Sequence, residues 1–188
     1  METSVETPAI ALVPIGPVPT DLLDYLKVPL TAAFGLPCVM HPAIAVPKKA
    51  YDGRRGKYLG NKILEALAPL WMPDAERVLG LIDADCYAPG LNFILGQARS
   101  HGRDAFIALP RLRESFYGLP EDEAWFRQRA LKEAIHELGH TYGLRHCPAT
   151  RCVMHFSNSL RDTDIKEAEF CFRCGVQLRE LGRSKRVG

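Results

Sequence analysis

Short apolar blocks alternate along this chain with stripes at helical spacing. AIALVPI (9 to 15) is an apolar, partly β-branched run bounded by prolines, which suits a buried strand. Leu22, Leu23, Tyr25, Leu26, Leu30 and Phe34 then recur at helical spacing before Gly35, with Thr20 or Asp21 as the candidate cap. PCVMHPAIAV (37 to 46) predicts a second, proline-interrupted extended segment, and YDGRRGKYLG a loop. NKILEALAPLW (61 to 71) carries Ile63, Leu64, Leu67 and Leu70 on one face of an amphipathic helix. RVLGLIDADCY (77 to 87) reads as a central strand. LNFILGQA (91 to 98) and DAFIALP (104 to 110), joined by the turn-like RSHGR, read as two more, one of them an exposed edge.

The strongest helix follows in LPEDEAWFRQRALKEAIHELGHTYGL (119 to 144). Pro120 suits its first turn, Glu121, Asp122 and Glu123 complement the positive helix end, and Gly143 supplies the stop. Strands and helices followed by one long helix predict an α/β (α+β) arrangement, a mixed sheet with helices packed against it. Beyond Gly143 the chain becomes rich in cysteine and poor in apolar runs. The expected division is an N-terminal lobe of residues 1–143 and a C-terminal lobe of residues 144–188.

Composition narrows the class. At 188 residues and 47% hydrophobic the chain can bury one sizeable core. A formal charge of +2 gives no signal for nucleic acid, membrane or strongly acidic substrates. No run approaches the length of a membrane helix, and Glu2, Glu6 and Pro14 interrupt any export signal, so a cytosolic protein with reduced thiols is expected.

Against that background HELGHTYGLRHC (136 to 147) stands out, because it holds three of the six histidines. His136 and His140 are one helical turn apart on one face and can bind the same ion. Glu137 is placed to deprotonate a metal-bound water while staying out of the ligand set. Gly143 can take the left-handed conformation that turns the chain and lets His146 reach back as third ligand. Three histidines leave a fourth position open, the mark of a catalytic zinc rather than a structural one. The plainer alternative, unrelated histidines at a helix end, leaves Gly143 and His146 unexplained.

Cys147 and Cys152, then Cys171 and Cys174, form two close pairs that match a four-thiolate structural zinc. Buried reduced thiols are the competing reading. Cys38 and Cys86 lie in apolar runs and are expected to be plain buried thiols. His41, His101 and His155 receive no role, and the basic tail with Arg183, Lys185 and Arg186 is expected to be solvated and disordered.

The extended histidine motif followed by a methionine resembles the metzincin metallopeptidases. HELGHTYGLRHCPATRCVMH followed by CFRC resembles one family among them, the archaemetzincins. The resemblance implies a metzincin-like zincin fold with a mixed twisted sheet, a long active-site helix and a small zinc-stabilised C-terminal lobe. It makes Met154 the candidate for the methionine turn beneath the metal. It further implies a zinc metallopeptidase with two Zn2+ per chain, one catalytic and one structural. A peptide or small protein substrate would pair with a cleft-edge strand, for which LNFILGQA is the candidate. A monomer is expected, with no membrane or nucleic-acid partner. The alternative is a zinc-stabilised module that binds peptide or nucleic acid at an idle site, for which Glu137 would have no purpose.

Overall fold

The computed structural model of the chain describes residues 8–186, the side chains of 183–186 excepted. Its main sheet is built on β1 (Ala9–Ile15), buried along its whole length. β1 pairs in parallel with β2 (Cys38–Met40) and with β5 (Ala75–Ile82). β9 (Asp104–Ala108) continues the parallel set, and β8 (Gly96–Ala98) closes it antiparallel, giving the order β2-β1-β5-β9-β8.

The unbroken apolar runs of β1, β5 and β9 follow from this arrangement, because a strand covered on both faces needs no polar side. Ile10, Leu12, Leu79, Leu81, Ala105 and Ile107 pack with α1 (Thr20–Phe34) and α3 (Glu123–Tyr142). The alternate residues, Ala11, Val13, Ile15, Val78, Ile82, Phe106 and Ala108, pack with α2 (Gly60–Leu67). The first of these clusters continues through Val153 and Met154 to Cys174 and Leu178, so one core joins residues on both sides of Gly143.

A second, four-stranded sheet has the order β3-β4-β6-β7, from β3 (Tyr51–Asp52), β4 (Lys57–Leu59), β6 (Cys86–Ala88) and β7 (Leu91–Ile94). It explains two differences from the sequence pattern. The strand expected over 77–87 divides after Ile82, since Asp83 and Asp85 turn out to pair with Arg113 and Arg111, and Cys86 enters the second sheet. LNFILGQA likewise divides at Leu95, with β7 in one sheet and β8 at the edge of the other.

Helix ends also differ. α1 starts at Thr20 with Pro19 before it and no side-chain cap, so neither Thr20 nor Asp21 caps it; it ends on left-handed Gly35. α2 stops at Leu67 rather than 71; Ala68 keeps helical dihedrals, but Pro69 has no N–H with which to continue the ladder. In α3 the cap is Asp122, whose carboxylate accepts from the Trp125 amide, so Pro120 and Glu121 precede the helix. Beyond Gly143 lie two helices that the pattern did not predict, α4 (Leu160–Ile165) and α5 (Phe172–Arg186). α4 is too short to show a period. α5 keeps the backbone of the basic tail helical to Arg186, where disorder was expected; the side chains of Arg183, Lys185 and Arg186 lie outside the described residues.

Candidate active site

α3 is the frame of the site. Residues 129–139 are all buried, including Arg129, Lys132 and Glu133. Each of these charged side chains is matched. Arg129 forks onto Asp164 at 2.7 and 2.9 Å and also reaches Glu114 at 2.8 Å. Lys132 donates to the carbonyls of Thr163 and Asp164, and Glu133 meets Lys166 at 2.8 Å. These contacts bind α4 and the residue after it along the helix that carries the motif, so the site stands on a fixed backbone.

His136 and His140 project from the same face of α3, with ring centroids 4.6 Å apart. Gly143 ends the helix at φ 104, a conformation that residues with a Cβ rarely adopt, and its N–H bonds back to Gly139 and His140. The turn returns His146 to the pair, 5.3 Å from the His136 ring and 4.9 Å from that of His140.

Backbone carbonyls fix the first two rings. His136 Nδ1 donates to Val153 O at 2.8 Å and His140 Nδ1 to Leu144 O at 2.7 Å, which turns both Nε2 atoms toward each other at 3.0 Å. Burial lowers the proton affinity of all three rings below that of ordinary histidine, with the Lys166 ammonium adding to the effect on His136 and His146. Neutral imidazoles with nitrogen donors converging within 4.8 Å suit zinc.

Glu137 lies beside this triad, 6% exposed. Burial pushes its carboxyl well above the usual carboxylate range, the neighbouring Glu133 adds to the rise and Lys166 offsets part of it. Gly96 on β8 makes room for it. A Cβ there would stand 2.6 Å from Glu137 Cγ, 2.8 Å from its Oε1 and 2.7 Å from the Phe106 carbonyl oxygen. His136, Glu137, His140 and His146 open onto a cleft of about 560 Å3, bounded by residues 91–98 and by Phe156, Ser157 and Asn158.

Met154 is fully buried. A Cβ on Gly139 would stand 2.6 Å from its sulfur, so glycine on α3 lets the thioether lie against the helix between the two histidine turns. The same segment serves both rings and cysteines, since Cys147 N–H donates to Met154 O and Val153 O accepts from His136.

Cys147, Cys152, Cys171 and Cys174 converge within 4.8 Å of one another, all buried except the partly exposed Cys171. All are free thiols, as expected for metal ligands rather than disulfides. The Cys174 backbone N–H, donating to Cys171, pulls that thiol down to about 7, while burial raises those of Cys152 and Cys174. Four soft sulfur donors at this spacing also suit zinc.

Other residues fall where chemistry does not need them. Cys86 is buried and its thiol is pushed up to about 12, mainly by burial; Cys38 is half-buried near Thr31. His41 bonds the carbonyl of Pro42, and His155 that of Cys147. His101, at φ 55, rests its ring against Gly143. Sequence reasoning missed Gly96, Glu133 and Lys166, which contact or border Glu137. Glu133 could have been found, since it precedes Glu137 by one turn on the same face; the others reach the site from distant segments without a local signal.

Residues 26–180 match Peptidase family M54. An archaemetzincin from Methanocaldococcus jannaschii is 42% identical over 173 residues, 92% of this chain and 94% of that protein. The crystal structure of archaemetzincin from Methanopyrus kandleri superposes with a TM-score of 0.85 at 35% identity, covering 97% of this chain and 99% of that one. A zinc-dependent peptidase from Methanocorpusculum labreanum superposes with a TM-score of 0.82 at 27% identity, covering 90% of this chain and all of its own.

Proposed function

Since the chain belongs with the archaemetzincins to Peptidase family M54 and is a zinc metallopeptidase, we propose that it hydrolyses peptide bonds at His136, His140 and His146, with Glu137 as general base. The convergence of three neutral imidazoles beside a buried carboxylate, at the wall of an open cleft, is the observation that carries this reading. His136, His140 and His146 would hold the zinc, which would supply Lewis acidity toward water and a peptide carbonyl.

Glu137 takes the proton of the attacking water on its carboxylate and returns it to the nitrogen of the leaving amine. Gly96 keeps the carboxylate at the cleft wall. β8, at the edge of its sheet and lining the cleft, offers its free side to an extended substrate backbone.

Cys147, Cys152, Cys171 and Cys174 hold a second, structural zinc in this reading, which brings the count to two per chain. Met154 forms the apolar floor under the first. The division into residues 1–143 and 144–188 corresponds to a sheet-bearing lobe and a lobe organised by the second zinc. The working form is a cytosolic monomer acting on peptides or small proteins; six unpaired thiols fit a reducing compartment. Among the described residues no helix is long and apolar enough to cross a membrane. Family membership favours the peptidase over a peptide- or nucleic-acid-binding module. Cleavage of a peptide library by the zinc-loaded chain, absent from Glu137→Ala at equal zinc content, tests the proposal; equal cleavage by both would overturn the role of Glu137.

A further inference from the structure

His136 and His140 are each tied through Nδ1 to a backbone carbonyl, that of Val153 at 2.8 Å and that of Leu144 at 2.7 Å. His146 is held differently. It is the exposed member of the triad, it lies beyond the end of α3, and among the described residues neither of its ring nitrogens has a hydrogen-bond partner. A ligand on a turn, free to rotate about its side-chain bonds, gives up that freedom when it binds an ion. Whatever orients its ring beforehand lowers that cost.

Phe156 is placed to do so. Two hydrogen bonds draw the chain after His146 into a closed loop: the Cys147 N–H donates to Met154 O at 2.9 Å, and His155 Nδ1 donates to Cys147 O at 3.0 Å. The loop returns Phe156 to His146, where the two ring centroids stand 4.8 Å apart with the planes tilted by 44°. Phe156 is 40% exposed and joins neither apolar core, and among the described residues His146 is the one ring it meets. Core packing therefore does not account for its position. The contact also has the right sign, because an imidazole that donates to a dication becomes electron-poor and a phenyl π-system favours such a neighbour.

We propose that Phe156 is the positioning residue of the third ligand: its ring orients His146 for the metal, as Val153 O and Leu144 O orient His136 and His140. Leucine at this position would fill similar space without a π-system, and tyrosine would keep one. The inference rests on the reading that the three histidines share one zinc, and not on the hydrolytic step. Because Phe156 also lines the cleft, a substrate contact is the competing role, and it predicts altered peptide binding with the metal site unmoved.

The test counts zinc in the absence of peptide. The full chain is equilibrated with chelator-buffered zinc over a range of free concentrations, and zinc per chain is measured at each. The step that His136→Ala lacks identifies the histidine site. Phe156→Ala and Phe156→Leu should move that step to about fivefold higher free zinc and leave the cysteine step in place, while Phe156→Tyr should keep both where they are. An unmoved histidine step in Phe156→Leu, an equal shift of both steps, or a shift in Phe156→Tyr as large as that in Phe156→Leu overturns the proposal. No histidine step in the unsubstituted chain sinks the three-histidine reading and this inference with it. If the step shifts as expected while the chain cuts no peptide, the hydrolytic reading falls and the role of Phe156 stands.

Discussion

The two donor clusters are neighbours in sequence and opposites in construction. His146 belongs to one and Cys147 to the other. The histidine cluster has two members on the rigid α3 and one on its exit turn, and it opens onto the cleft. The cysteine cluster draws all its members from loop and helix-start positions after Gly143, and it supplies four donors, enough to close a tetrahedral site by itself. In the proposed reading, a metal ties these loop and helix-start positions together. A helix pinned by Arg129, Lys132 and Glu133 needs no such tie, and can leave one position of its metal free for chemistry.

That contrast is broken most severely by Glu137→Ala. The account expects a roughly thousandfold fall in kcat, measured on any peptide the chain cleaves, with zinc content unchanged because Glu137 is no ligand. Cys171→Ala should act in the opposite way, on the frame. Loss of its metal is expected to cost about 4 kcal/mol, or on the order of 10 °C in Tm by calorimetry, since metal loss belongs among the largest single-residue effects.

Gly96→Ala tests whether the general base is positioned from β8. The added methyl would stand against both the Phe106 carbonyl and Glu137, so β8 and the carboxylate must both shift. About a hundredfold loss of kcat with little change in KM is expected in steady-state kinetics, and a KM effect alone would assign Gly96 to substrate binding instead.

The smallest effect separates cluster thiols from the lone Cys86. With zinc removed, Cys171, pulled down to about 7, should alkylate at pH 8 at least about tenfold faster than Cys86, as followed by mass spectrometry. The sign for Cys86 follows from its raised value. Its contribution to stability is full below the ordinary thiol value of 9.0 and is lost as pH rises toward about 12, so alkali and not acid should expose it.

How much of this was legible in the sequence depended on range. β1, α1 and the motif on α3 announced themselves through local periodicity, and the ligand histidines through spacing along a helix. The cysteine pairs were legible because metal chemistry fixes residue type even where the backbone pattern is silent. The split of residues 91–98 between two sheets was not, because an apolar run reads alike in either sheet and Leu95 carries no turn signal. Helix α4 escaped because six residues hold less than two turns. Gly96 and Lys166 were invisible for a different reason: each meets α3 through a contact that folding creates and no neighbour in sequence foretells.

The central claim is that one chain holds two metals in separable sites, and elemental analysis of zinc per chain tests it most directly, with His136→Ala and Cys171→Ala measured beside the unsubstituted protein. The account predicts two zincs in the unsubstituted chain and one in each variant. A single zinc, retained in His136→Ala and lost only in Cys171→Ala, would contradict it and leave the histidine cluster without the metal that its proposed chemistry needs.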